Sequence, residues 1–342
     1  MPELQSAAPV NPALLTVWRK VRSLAALAAL LLLAGVCGPA GARAQDGYPQ
    51  RTVSLIVPFA AGGATDALTR MLVNGMKSAM DGKVIVENRP GALTQVGIQA
   101  ALGAPNDGYT LVMGGPSTAI LTLVNKGFTL DLAREITGVA GVGESYLVVC
   151  VNSKLPVKTL DEFIKYAKAN PGVLNYGAQG ASDYLANNAL SAAMGIDVVN
   201  VRYGGGGPVK TALIAGDVHY SVFYAGDVAP LIAAGQVRPI ATTGLKRHPE
   251  FPDLPTIAEA TGKQVEYVSW AGVFAKAGTP QMVIDKVNLA VDQALRDPET
   301  LGRIRKLGFE PMKKSPSEMS SFLRKEIETW AKVAKDTNFK PE

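Results

Sequence analysis

The chain has 342 residues, 47% of them hydrophobic and 18% charged. It is too apolar for intrinsic disorder, and with no run of eighteen apolar residues it offers no membrane-spanning helix. At about 150 residues per domain its length suggests two domains, and a chain this long buries about 75% of its unfolded surface without needing disulfides or a metal. Two cysteines make no disulfide framework. The net charge of +5 sits largely at the start, where Arg19, Lys20, Arg22 and Arg43 face Glu3. Beyond residue 44 there are 30 basic and 28 acidic residues. No dense Lys/Arg stripe occurs there, which excludes a nucleic-acid footprint.

Residues 1–44 carry the marks of a signal peptide. Arg19–Arg22 precedes an apolar run of thirteen residues, Leu24–Val36, which is followed by Ala42-Arg43-Ala44. A positive segment, a short apolar run and an A-x-A site predict export and cleavage after Ala44. Cys37 offers an alternative, acylation as a lipoprotein, but the β-branched Val36 stands where such sites want a small residue. The mature chain then keeps Cys150, which lies in an apolar run and reads as a buried strand residue.

The mature chain alternates strands and helices. Thr52–Phe59 is β-branched and apolar without alternation, as in a parallel strand covered on both faces. Ala60-Ala61-Gly62-Gly63 breaks it, and Thr65 or Asp66 is placed to cap a helix carrying Leu68, Met71, Leu72 and Met76 on one stripe. Lys83–Glu87 predicts a strand, 88–91 a turn, 96–102 a helix and Tyr109–Met113 a strand. The next strand is 147–151, followed by a helix over 159–169, with Pro171-Gly172 ending it. Helices are expected near 185–194, 210–215 and 228–234, and strands at 198–201, 220–223, 238–242 and 270–274. The tail, 282–295 and 316–335 with a short helix between, is helical. Because the tail lacks strands of its own, it is expected to return to the first domain. That predicts two α/β domains with two crossings and a cleft between them.

Chemistry is sparse. Gly62-Gly63 lies where a buried strand meets a helix start, a position from which free N–H groups bind anions. No Lys or Arg sits in that loop, which suits a small carboxylate better than a triphosphate. Gly204–Gly207 is followed by Pro208 and is not a phosphate-binding loop. There is no G-x-S-x-G, S-x-x-K or H-E-x-x-H. His219 and His248 have no metal-like spacing and read as turn and loop residues. Neither a metal nor a cofactor is expected. A secreted hydrolase using Ser117 or Ser182 would need a partnered histidine, and none is recognisable.

Several motifs occur together and in order. Tyr48-Pro49, Ile56–Asp66 (IVPFAAGGATD), Val86–Ala92 (VENRPGA) and Pro105–Leu111 (PNDGYTL) come first. Gly235–Arg238, Pro252–Thr256, Trp270-Ala271-Gly272, Gly278-Thr279-Pro280, Leu307–Pro311 and Trp330 follow. The chain resembles the Bug-type extracytoplasmic solute receptors of tripartite tricarboxylate transporters over nearly all of 48–342. The resemblance implies a two-domain periplasmic binding protein of type II, closing like a flytrap, with residues 48–150 plus 271–342 in domain 1 and 151–270 in domain 2. It implies a monomeric receptor, not an enzyme, that delivers a small carboxylate to a large and a small membrane subunit. An orphan receptor signalling to a membrane sensor is an alternative within the same fold.

The resemblance also implies a site. Phe59, Ala60, Gly62, Gly63, Ala64, Thr65 and Asp66 match the loop that faces the ligand carboxylate, and Ser117 and Thr118 match a second cleft loop. Gln179, Gly180, Ala181 and Ser182 match a third loop in part, with Tyr184 where a histidine is usual. Tyr203 and Gly204 match a fourth, with Gly204 where a lysine is common. Phe223 stands where many members have an aspartate, and Asp227 lies nearby. These departures point to a less charged, aromatic carboxylate.

Overall fold

The computed structural model describes residues 47–203, 206–337 and 339. The expected cleavage after Ala44, the alternative acylation at Cys37, and Gly204 lie outside them.

The chain begins as the alternation predicts. Val53–Val57 (β1) leads through a glycine loop into Ala64–Met76 (α1), whose Leu68, Leu72 and Met76 are fully buried. The helix is capped not by Thr65 or Asp66 but by the extended Gly63, one turn earlier, so Asp66 falls inside the first turn. Val84–Asn88 (β2), Gln95–Gly103 (α2) and Thr110–Gly114 (β3) complete the first parallel unit. Three one-turn helices follow, Pro116–Ala119 (α3), Leu121–Val124 (α4) and Leu132–Glu135 (α5). Ile136–Tyr146 (β4) then leads to Val148–Asn152 (β5) with one residue, Leu147, between them.

The middle of the chain repeats the pattern. Leu160–Ala169 (α6), Asn175–Ala178 (β6), Ala181–Met194 (α7), Val199–Arg202 (β7), Gly206–Ala215 (α8) and Tyr220–Phe223 (β8) come in order. Ala225–Ala233 (α9), Val237–Thr242 (β9) and Ile257–Thr261 (α10) follow. The return strand Val268–Lys276 (β10) precedes Gln281–Arg296 (α11), Pro298–Lys306 (α12), Glu310–Pro311 (β11) and Pro316–Asp336 (α13).

These strands form two sheets, β11-β4-β10-β3-β1-β2 and β7-β6-β8-β5-β9. In each, three strands are parallel, β2-β1-β3 and β7-β6-β8. Among the strands that join one sheet to the other, β10 runs antiparallel to β3 and β4 runs antiparallel to β10, so β4 points the same way as the first three, while β5 runs antiparallel to β8. The helical tail packs back on the first sheet, with α11 against α1 and β4, and α13 against β4. The far end of α13 also reaches the core of the second sheet, where Trp330 stands edge-on to Tyr267 at 5.9 Å.

β4, the longest strand, escaped the sequence reading. It carries Gly138, Gly141 and Gly143, and glycine argues against a strand interior. The glycines are there for contact: a Cβ on Gly138 would lie 2.6 Å from the Ser320 amide of α13, and one on Gly141 would overlap the Met312 carbonyl. The tail can lie on this strand because the side chains are missing.

Thr243 ties the two passages between the sheets together. It is fully buried. Its amide donates to the Leu147 carbonyl at 2.9 Å and the Leu147 amide donates to its hydroxyl at 3.0 Å. The hydroxyl donates to the Tyr267 carbonyl at 2.6 Å, and the Tyr267 amide returns a bond to the Thr243 carbonyl at 2.9 Å. Thr243→Val keeps the shape and removes the hydroxyl, leaving a buried N–H and a buried carbonyl each short of a partner. The expected loss is on the order of 2 kcal/mol, read from the midpoint of urea unfolding.

Candidate functional site

The parallel strands of both sheets end at one place. A cavity of about 230 Å³ lies there, bordered by residues that follow β1 (Phe59, Thr65), β3 (Gly115, Ser117), β6 (Gln179, Ser182) and β8 (Tyr224). The carboxyl ends of parallel strands are where α/β folds bind ligands, because the following helices turn their free N–H groups there. Four helices of two turns or more, α1, α7, α8 and α9, begin at or beside this cavity.

The first loop is held from behind by Asp66. Its carboxylate accepts from the Gly62 amide at 2.9 Å, Arg70 Nε at 3.0 Å and Asn88 Nδ2 at 2.9 Å. Asn88 Nδ2 also reaches the Phe59 carbonyl at 3.2 Å, and Arg70 closes the ring by donating to Asn88 Oδ1 at 2.8 Å. Burial pushes the Asp66 carboxyl up, but the bonds from Arg70, Gly62 and Asn88 outweigh it and hold it below its ordinary value. These three bonds go to the loop backbone and its neighbouring side chains, and Asp66 itself does not border the cavity, so it shapes the loop from outside.

The cavity walls are aromatic and aliphatic, with a strip of hydroxyls across them. Phe59, Leu147, Val222, Phe223 and Trp270 supply the apolar surface. Ser117 Oγ and Ser182 Oγ stand 3.3 Å apart, one from each half of the fold, and Tyr267 donates to Ser182 at 3.4 Å. Tyr224 and Ser269 pair at 2.7 Å. Trp270 is fixed from the tail, its indole N–H donating to Glu326 at 2.8 Å. The Gln179 side-chain amide is bonded to the Val222 carbonyl. Gly206 leaves room for Gln179, since a Cβ there would lie 2.8 Å from Gln179 Oε1.

One ionisable acid borders the cavity. Asp183 accepts from the Gln179 amide at 2.7 Å and from the Tyr176 hydroxyl. Burial pushes its carboxyl up to about 7, against the lowering effect of those two bonds. Among the described residues no Lys or Arg borders the cavity.

Of the residues singled out in the sequence, Phe59, Thr65, Ser117, Gln179, Gly180, Ser182 and Phe223 come together around the cavity. Ala60, Gly62, Gly63 and Ala64 stand back from it in the loop that Asp66 shapes. Thr118 is buried and accepts from the Gly115 amide at 3.2 Å. Ala181 and Tyr203 border a smaller neighbouring cavity with Tyr184, whose ring is covered by Arg202 at 4.3 Å. Asp227 pairs with Lys210 at 3.6 Å and stays outside.

Sequence reasoning missed Asp183, Leu147, Tyr224, Tyr267, Ser269 and Trp270. Most of these lie at the crossings between sheets, which no local pattern marks. Asp183 did carry a signal, since an acid in the first turn, three residues after Gly180, is a helix-start pattern.

Nothing in the site resembles a nucleophile with its base. His219 Nδ1 accepts from the Asn175 amide at 2.9 Å and His248 Nδ1 from the Glu250 amide at 3.1 Å, and neither borders the cavity. Among the described residues no group of three His, Cys, Asp or Glu could hold a metal. Cys150 is buried in β5, and burial pushes its thiol up.

Residues 68–339 match the tripartite tricarboxylate transporter family receptor. The chain belongs to that family. It is similar to solved structures of the periplasmic binding protein BugD (27% identity, TM-score 0.77, 86% of this chain and 100% of that one) and of Rpa4515 from R. palustris with adipate (32%, 0.79, 86% and 100%). It is also similar to MatC from Rhodopseudomonas palustris with bound malate (29%, 0.73, 84% and 99%). These proteins bind solutes and are not enzymes, and the α/β two-sheet architecture of this receptor is the periplasmic binding protein fold.

Asp66→Ala removes the centre of the first loop's hydrogen bonds. The receptor is expected to lose on the order of 2 kcal/mol in urea unfolding at pH 7. Because the Asp66 carboxyl is held low in the folded state, its contribution is complete above the ordinary carboxylate range and fades as pH falls through it. The difference between wild type and variant therefore shrinks on acidification below about pH 4.

Proposed function

We propose that this receptor is exported to the periplasm, captures a small carboxylate in the cavity between its two sheets, and delivers it to the large and small membrane subunits of a tripartite tricarboxylate-type transporter. The observation that carries the reading is the convergence of four helix starts on one cavity that, among the described residues, no Lys or Arg borders. Helix starts bind anions through backbone N–H groups and the helix dipole, each contributing about 0.3–1 kcal/mol at an exposed site and more where water is excluded. The family, and the relatives with adipate and malate, support the same chemistry.

The sheets suggest how capture works. Residues 48–150 plus 271–342 form one lobe and 151–270 the other, and the two crossings laced by Thr243 serve as the hinge of a monomer. The ligand meets the loop after β1 first. Gln179 and Ser182 then come over it from the second lobe, to an extent set by the ligand's preference for the closed form.

A thermal-shift screen of residues 45–342 against mono-, di- and tricarboxylates, amino acids and aromatic acids tests the reading. A ligand at a hundredfold excess over its Kd stabilises by about 2.7 kcal/mol, and a strong shift with one carboxylate class is expected. Sugars and amines run alongside as controls, and binding of one of these with no carboxylate bound would overturn it. Closure predicts a smaller radius of gyration on saturation, and identical scattering with and without ligand would refute it.

A further inference from the structure

Three of the helices that begin at the cavity carry an acid in the first turn: Asp66 in α1, Asp183 in α7 and Asp227 in α9. Two of these acids have a cation beside them, Arg70 at 3.0 Å from Asp66 and Lys210 at 3.6 Å from Asp227. Asp183 alone borders the cavity. Its two oxygens accept from the Gln179 amide and the Tyr176 hydroxyl, and among the described residues no ammonium or guanidinium borders the cavity with it. The titratable groups that face it are the hydroxyls of Tyr176, Tyr220, Tyr224 and Tyr267, all of which burial pushes up and leaves uncharged.

The consequence for a ligand is electrostatic. An acid in the first turn offsets the positive end of its own helix, so α7 contributes little to holding an anion while Asp183 is ionised. A first carboxylate can use the starts of the other helices and the hydroxyls of Ser117 and Ser182. A second one inside the same small cavity would be taken out of water with no counter-charge and with Asp183 repelling it. The rest of the wall is Phe59, Phe223, Trp270, Leu147 and Val222, which fits an uncharged body.

We infer that the receptor selects a carboxylate monoanion with an uncharged, apolar body, and that Asp183 is the residue that sets this limit on charge. The inference rests on the proposed capture of a carboxylate in this cavity and narrows it. Linkage follows from it. An anion bound beside Asp183 raises that carboxyl further, and a second anion raises it further still. Above about pH 7, where the free protein ionises Asp183, binding is therefore opposed either by its charge or by the uptake of a proton, and a dianion is opposed more than a monoanion. Affinity then falls as pH rises above that point, by up to about tenfold per unit where a full proton is taken up.

The test uses matched acids that differ by one carboxylate: hexanoate against adipate, benzoate against terephthalate, and 3-phenylpropanoate against phenylsuccinate. Affinities for the full mature chain are measured by calorimetry between pH 6 and 9. In at least one pair the monoacid is expected to bind at least about tenfold more tightly at pH 8, with affinity falling as pH rises. Asp183→Asn keeps the size and one acceptor. It is expected to fold, as judged by its melting curve, to narrow the gap between mono- and diacid and to flatten the pH profile. If the diacids bind wild type as well as or better than their partners, or the best monoacid binds equally at pH 6 and 9, the inference is overturned while carboxylate capture stands. Should Asp183→Asn not fold, the wild-type pairs and pH profile decide the matter alone. Should no acid bind at all, carboxylate capture falls and this inference with it.

Discussion

Everything in this receptor depends on how its chain passes between two sheets. β4 and β5 are separated by Leu147 alone, and the return passage before β10 lies beside it, so both crossings share one short seam. Buried backbone at such a seam has no regular ladder to satisfy it and must find partners locally. Thr243 supplies them with its amide, carbonyl and hydroxyl, bonded to Leu147 on one side and Tyr267 on the other. With the seam held there, the carboxyl ends of β1, β3, β6 and β8 meet, and the cavity is the space they leave.

Among the described residues no cation borders the cavity, and the placement of charge around it follows a pattern. Asp66 is buried, yet its negative charge serves Arg70, Asn88 and the Gly62 amide, and so fixes the loop after β1. Asp227 is turned outward to Lys210. What remains around the cavity is largely uncharged: serine and tyrosine hydroxyls, helix starts and aromatic rings. Such a surface offers hydrogen bonds of fixed direction more than net charge.

The fold was legible in the sequence wherever periodicity was strong. The unalternating run over Thr52–Phe59 became β1, the stripe of Leu68, Leu72 and Met76 became the buried face of α1, and the helical tail did return to the first sheet. Legibility failed where a residue type meant something only in contact. The glycines of β4 read as a reason against a strand and prove to be the surface on which α13 lies. Thr65 and Asp66 have the chemistry of helix caps, but Gly63 takes that place and the Asp66 carboxylate is bonded instead to Arg70, Asn88 and the Gly62 amide.

By itself, the sequence determined the α/β alternation and the family to which the receptor belongs, because hydrophobic spacing, turn residues and ordered motifs are properties of neighbours along the chain. Only the tertiary structure decided which residues border the cavity, and which first-turn acid is among them. Phe59, Ser117, Ser182 and Tyr267 lie far apart in sequence and meet only when two sheets share one seam. Asp66, Asp183 and Asp227 are alike as first-turn acids. Their different surroundings, set by distances of a few ångströms to Arg70, Tyr176 and Lys210, give them different work.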